Sequence, residues 1–204
     1  HKRLAEKLEL WIEARGEYPL NLNWITSRKA IQDMDLTVLD TETTGLDNRS
    51  RIVQLAASPV KSGLKVNHFN DLNQLIHPGY RDKDKTDVFP IHKDASRVHG
   101  IDLDMLEKAD APQMNDIIGK LMPSTQDALL GQTRLKVAYN ARFDVGRLNE
   151  AFRLYRLEGG KIDDIPIETV LDPFILIQRL HPFNSQKKTL GVVFKNLMGQ
   201  AVSY

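Results

Sequence analysis

Apolar positions along this chain recur at two spacings, and the switches between them mark its elements. Residues 4–15 set Leu4, Leu8, Trp11 and Ile12 on one helical face, with Lys7, Glu9 and Glu13 elsewhere. Gly16 and Pro19 stop that helix, and the stretch to Gln32 reads as a connection. Residues 1–33 are therefore expected to form a helical arm ahead of a main domain at 34–204. The arm either packs on that domain or docks a partner. From Leu36 the spacing shortens. Leu36-Thr37-Val38-Leu39 is an apolar, β-branched run that predicts a short buried strand ending at Asp40. Ile52–Ala57 predicts a second strand and Asp71–Ile76 a third, closed by His77-Pro78-Gly79. Short polar connections between them predict an antiparallel meander. The charged stretch Arg81–Asp87 reads as an exposed loop.

Beyond Pro90 the helical period takes over. Helices are expected at His92–His99, stopped by Gly100, at Asp102–Lys108, and at Asp110–Leu121 with Asp110 as N-cap and Pro112 near the start. Leu135–Tyr139 predicts a fourth strand, and Asn140–Asp144 turns it into a helix with Val145, Leu148, Phe152 and Tyr155 on one face. Gly159-Gly160 ends that helix. A fifth strand is expected at Glu168–Leu171, and Asp172-Pro173 caps a helix running to Leu180. Lys188–Met198 reads as a last amphipathic helix, with Leu190, Val193, Phe194 and Leu197 inward. Strands first, then alternating helix and strand, predict an α/β domain with a mixed sheet and helices packed on it.

Composition narrows the function classes. The 204 residues carry 41% hydrophobic and 27% charged side chains, ordinary for a globular domain. No apolar run approaches the roughly 20 residues that span a bilayer, and no apolar segment follows His1–Glu6 to make a signal peptide. A cytoplasmic location with no membrane role is the expectation. The absence of cysteine excludes disulfides and thiolate metal sites. Net charge is +1, so nucleic-acid affinity must come from a local patch or from bound metal. One local imbalance stands out. Residues 134–161 hold Arg134, Lys136, Arg142, Arg147, Arg153, Arg156 and Lys161 against Asp144, Glu150 and Glu158. With Lys187-Lys188 these form either a phosphate-tracking rim or a solvated helix face.

The candidate chemistry lies at the end of the first strand. Asp40 and Glu42 are two apart, so on a strand both carboxylates project to the same side. Like charges held this close are costly unless a cation lies between them, and oxygen-only ligands suit Mg²⁺ or Mn²⁺. The plain alternative is a strand end with two solvated acids. The small Thr43-Thr44-Gly45 turn would let backbone and substrate approach closely. Asp144, just inside a helix after a buried strand, is a third acid, in a position that helix N-termini favour in any case.

Three segments in order carry a resemblance: Asp40-Thr41-Glu42-Thr43-Thr44-Gly45, then Val98-His99-Gly100-Ile101, then Asn140-Ala141-Arg142-Phe143-Asp144. Together they resemble the motifs of the DEDD superfamily of 3′–5′ exonucleases, such as the proofreading epsilon subunits of bacterial DNA polymerase III. The similarity covers roughly Leu36 to Met198. It implies an RNase H-like mixed β-sheet flanked by helices, and Asp40, Glu42 and Asp144 as catalytic ligands of two Mg²⁺ or Mn²⁺ ions. In that family the ions lie about 4 Å apart and bracket the scissile phosphate. Thr43, Thr44, Gly45, Leu46, His99, Asn140 and Phe143 would meet the substrate, a single-stranded 3′ end of DNA or RNA. A DNA polymerase or another replication or repair protein is the partner class implied.

The family's third motif, a His or Tyr followed by a fourth Asp, is expected after the helix ending near Met198, and Gly199–Tyr204 does not supply it. Asp172 and His181 come too early. The expectation is a truncated piece of an active enzyme. The alternative is a catalytically incomplete module that binds nucleic acid or a polymerase-type partner.

Overall fold

The computed structural model describes residues 36–61, 65–66, 72–121 and 135–175. The expected arm at 1–33 and the helix at 188–198 lie outside the described residues. The first strand continues through both acids: β1 spans Leu36–Thr43. Its Thr37, Leu39, Thr41 and Thr43 are buried while Val38 and Asp40 are exposed, the period of two that a pleated backbone imposes. β2 (Ile52–Lys61) returns antiparallel beside it, pairing Asp40 with Ala56 and Glu42 with Gln54. The register slips between Glu42 and Thr43, so regular pairing ends where the acids project.

On the far side of β2 lie β3 (Lys65–Val66), a strand the sequence pattern did not suggest, and β4 (Leu72–Leu75), both antiparallel to it. The expected meander is thus present. Three helices follow: α1 (Lys93–His99), α2 (Leu103–Lys108) and α3 (Met114–Leu121). β5 (Leu135–Ala138) enters parallel to β1 on its other flank, α4 (Ala141–Leu157) crosses over, and β6 (Val170–Leu171) pairs parallel with β5. The order β3-β2-β1-β5-β6, with β4 also on β2, puts β1 in the middle of a mixed sheet. The expected α/β arrangement of a mixed sheet flanked by helices is borne out.

One face of the sheet is covered. Leu39, Leu55 and Ala57 pack against Ile117, Ile118 and Leu121 of α3 and against Val145, Leu148 and Phe152 of α4. The i, i+3, i+7 spacing of those α4 residues is the stripe read from the sequence. A smaller cluster of Val53, Ile101 and Leu106 seats α2 beneath β2.

Helix ends follow local chemistry, with two corrections. Gly100 stops α1 at φ +76, donating to the Ser96 carbonyl at 2.8 Å, and the Asp102 carboxylate caps α2 by accepting from the Met105 N–H at 2.8 Å. α3, however, starts at Met114 rather than Asp110. Asp110 sits at φ +46, and the Pro112 carbonyl accepts from the His77 N–H at 2.9 Å, so this segment is tied to the chain after β4. The fifth strand is shorter than expected, because a 3₁₀ turn occupies Ile167–Thr169.

Phe152 has no exposed surface and sits between the sheet and α3. Phe152→Ala is expected to lower unfolding free energy by about 3–5 kcal/mol in urea titrations, since a cavity of that size cannot collapse fully. A loss under about 1 kcal/mol would contradict the assigned core.

Candidate active site

The site is built where the end of β1 meets the first turn of α4. Thr41, between the two acids, points to the buried face, toward α4. Its N–H and its hydroxyl both donate to Asp144 Oδ1, at 2.8 and 2.7 Å. That pair of bonds fixes Asp144 against the strand from which Asp40 and Glu42 project on the other side. Sequence reading assigned Thr41 no role.

The electrostatics centre on Asp40. Its carboxylate opens onto solvent, yet enough protein surrounds it that desolvation raises its pKa. Glu42 is raised by desolvation and then by the Asp40 charge. Asp144, only 4% exposed, is pushed up to about 6, chiefly by burial. The Thr41 bonds pull it back and the Asp40 charge adds to the rise. Asp40 therefore repels both other acids, and among the described residues no Lys or Arg pairs with any of the three. Three oxygen donors of like charge without a cation are the donor chemistry that a hard divalent ion relieves. Among the described residues no three His, Asp or Glu side chains already converge tightly enough to form a ligand cluster. One Asp144 oxygen is held by Thr41, which leaves the other for a ligand role.

Beside the acids lies a cavity of about 410 Å³, within the range of small-molecule sites. Of the residues expected to meet substrate, Thr43, Gly45, Leu46, His99 and Phe143 line it together with Glu42. Leu46 and Val98 stand at its rim with 88% and 84% of their surface exposed, an unusual cost for apolar side chains without a partner. His99 is locked in place. Its Nδ1 accepts from the Ile101 N–H at 3.1 Å, so the proton is on Nε2, which donates to the Thr43 carbonyl at 3.1 Å. Close approach over Gly45 is made by the protein itself: a Cβ there would lie 2.6 Å from the His92 ring. Thr44 and Asn140 do not line the cavity. The Thr44 hydroxyl accepts from the Arg51 N–H at 3.0 Å, and its carbonyl accepts from the His92 N–H at 2.8 Å. Asn140 turns the chain into α4 at φ +62.

Asp172 does more than the local capping read from sequence. Oδ1 accepts from the Phe174 N–H at 2.9 Å, the expected cap, but also from the Asn140 N–H at 3.0 Å. Oδ2 accepts from the Ala141 N–H at 3.0 Å. The start of α4, and so the position of Asp144, is pinned from β6 by a buried carboxylate at a helix N-terminus. Of the two readings of the basic residues at 134–161, the described ones favour the helix face over a phosphate-tracking rim. Lys136 is buried in the sheet, the Arg147 Nη1 donates to the Asp47 carbonyl at 2.8 Å, Arg153 binds Glu150, and Arg156 binds Asp164. Arg142 and Lys161 remain exposed; Arg134, Lys187 and Lys188 lie outside the described residues.

A strand-borne acid pair and a helix-borne third acid thus stand beside a groove that Glu42 lines, and the comparisons with known proteins give the family. An exonuclease family model, RNase_T, matches residues 37–190. The chain belongs to this exonuclease family, and the resemblance to DEDD-superfamily 3′–5′ exonucleases is borne out. It is 28% identical over 169 residues to the DNA polymerase III subunit epsilon of Buchnera aphidicola subsp. Schizaphis graminum, covering 78% of this chain and 60% of that protein. It is 30% identical over 153 residues to the PolC-type DNA polymerase III of Halalkalibacterium halodurans, covering 73% of this chain but 9% of that protein. The chain thus spans only part of these relatives. Its fold is similar to that of Escherichia coli exonuclease I solved with a 5cy-dA13 oligonucleotide, with a TM-score of 0.56, 16% identity, and coverage of 75% of this chain and 31% of that one. Exonuclease I of Methylocaldum szegediense superposes with a TM-score of 0.53 at 18% identity, over 78% of this chain and 32% of that one. The RNase H-like sheet is confirmed at the level of fold. Among the described residues no helix is long and apolar enough to cross a membrane.

The raised Asp144 pKa has a definite sign in stability. Between its ordinary value near 4 and about 6, the folded carboxyl holds a proton that the unfolded one releases, so this contribution is present at low pH and lost as pH rises through about 6. In metal-free buffer, Asp144→Asn is expected to stabilise the fold at pH 7.5 by on the order of 3 kcal/mol and to do little at pH 4. Equal effects at both pH values in denaturant titrations would contradict the assignment.

Proposed function

We propose that this chain is a metal-dependent 3′–5′ exonuclease domain that hydrolyses phosphodiester bonds at the 3′ end of single-stranded DNA or RNA. The observation that carries this reading is the acid arrangement. Asp40 raises the proton affinity of both Glu42 and Asp144 at the edge of a groove with exposed apolar flanks. Asp40, Glu42 and Asp144 would hold Mg²⁺ or Mn²⁺, two ions by family resemblance. The bound metal would neutralise phosphate charge and lower the pKa of an attacking water.

The chain's other residues prepare the groove. Thr41 holds Asp144 at the strand end, and His99 fastens the end of α1 to the Thr43 backbone. Leu46 and Val98 offer bare apolar surface on which a terminal base can lie, and contacts of that kind take any base. None of these groups presents an obvious reading of base identity, so binding is expected to be sequence-independent. Likeness to polymerase III epsilon and to a PolC-type polymerase supports a proofreading or repair role beside a DNA polymerase in the cytoplasm.

A 5′-labelled oligonucleotide with a 3′ single-stranded tail, incubated in Mn²⁺, is expected to shorten from its 3′ end. Asp40→Ala should slow this by on the order of 10³-fold. Binding without shortening would favour the catalytically incomplete module. Shortening unaffected by Asp40→Ala would refute the site.

A further inference from the structure

A second cavity, of about 160 Å³, shares no lining residue with the first and lies across the Asp47–Ser50 turn from it. Arg51, Arg147, His77, Tyr80, Phe89 and Gln113 are on its wall. Arg51 is a half-buried cation whose guanidinium makes no hydrogen bond or ion pair among the described residues. The guanidinium lies over the Phe89 ring, 4.4 Å from its centroid. Arg147 is held by the Asp47 and Ser50 carbonyls through Nη1, leaving its buried Nε without an acceptor.

Buried guanidinium donors are normally satisfied, because each one left open forfeits a strong, charge-assisted bond. The acids on the same wall do not answer that need. Glu150 is gripped by Arg153 through two bonds of 2.8 Å, and Glu158 accepts from the Asn115 amide. Burial pushes the Arg51 pKa down, and the Glu150 charge offsets this only in part. Aromatic rings complete the wall: Phe89 under Arg51, and the His77 and Tyr80 rings tilted 34° to each other with centroids 5.1 Å apart.

We propose that this cavity is a phosphoryl-anion subsite, taking a phosphate group of a nucleotide on Arg51, with the aromatic wall accepting the attached nucleoside. It is separate from the acid site and requires no divalent metal. The phosphate comes either from a free nucleoside monophosphate or from the backbone of a bound nucleic-acid strand, and both share this chemistry.

Calorimetric titration of the 204-residue chain in EDTA tests this, with 5′-dTMP and a single-stranded oligonucleotide as separate probes. At least one probe is expected to bind saturably at one site per chain, at least tenfold more weakly in Arg51→Gln and undiminished in Asp40→Ala. Arg51-dependent binding of dTMP identifies the free nucleotide as source, and dependence seen only with the oligonucleotide identifies the strand. Hydrogen exchange on the wild-type chain supplies a readout without substitution: the bound probe should slow exchange at residues 76–81. Absence of saturable binding by both probes, indifference to Arg51→Gln, or unchanged exchange at 76–81 would overturn the subsite. Arg51 would then be only a packing partner of Phe89.

Discussion

Two hydrogen bonds onto one carboxylate oxygen hold this site together. Thr41 and Asp144 are 103 residues apart in sequence, yet the Thr41 N–H and hydroxyl both reach Asp144 Oδ1. Bonds to a charged acceptor contribute roughly 1.5–3 kcal/mol each; they offset only part of what burial costs the Asp144 carboxylate, whose pKa stays raised. The geometry depends on β1 pairing directly with β5, which brings its end beside the first turn of the helix that follows β5. Asp172 reinforces it from β6 by accepting from the Asn140 and Ala141 N–H groups. Strand, crossover helix and next strand are thus locked at one corner of the sheet.

That corner carries opposed demands. Burial of Asp144 favours its neutral form, Thr41 favours the charged form, and Asp40 repels both of its acidic neighbours. A fold selected for stability alone would put a cation or an apolar group there. Retained repulsion at a groove is what the proposed divalent cation would relieve. The exposed Leu46 and Val98 make the same argument in apolar terms, since their surface is left bare on the two walls of one cavity.

Much of this was legible in the chain. The apolar run Leu36–Leu39 marked the first strand, though β1 continues past the expected end at Asp40 to Thr43, and the helical stripe of Val145, Leu148 and Phe152 appears as read. Asp40, Glu42 and Asp144 were visible as acids at element ends. What sequence hid was non-local. Thr41 carries no signal of its partner 103 residues away, and the local cap at Asp172 masked its bonds to Asn140 and Ala141. Charge counting over 134–161 left a phosphate rim and a solvated helix face both open, because it cannot tell an open arginine from one already paired, as Arg153 and Arg156 are. The start of α3 was misplaced because Pro112 is held by the His77 N–H rather than by a helix.

The central claim is that the three acids form one divalent-cation site with Asp40 as its hub. Electron paramagnetic resonance of added Mn²⁺ at pH 7.5 tests it most directly, by counting free ion in the presence of protein. The account predicts saturable Mn²⁺ uptake by the wild-type chain that is weakened at least tenfold, an affinity difference of about 1.4 kcal/mol or more, in Asp40→Ala. Uptake of equal strength in the two proteins, or none in either, would contradict it.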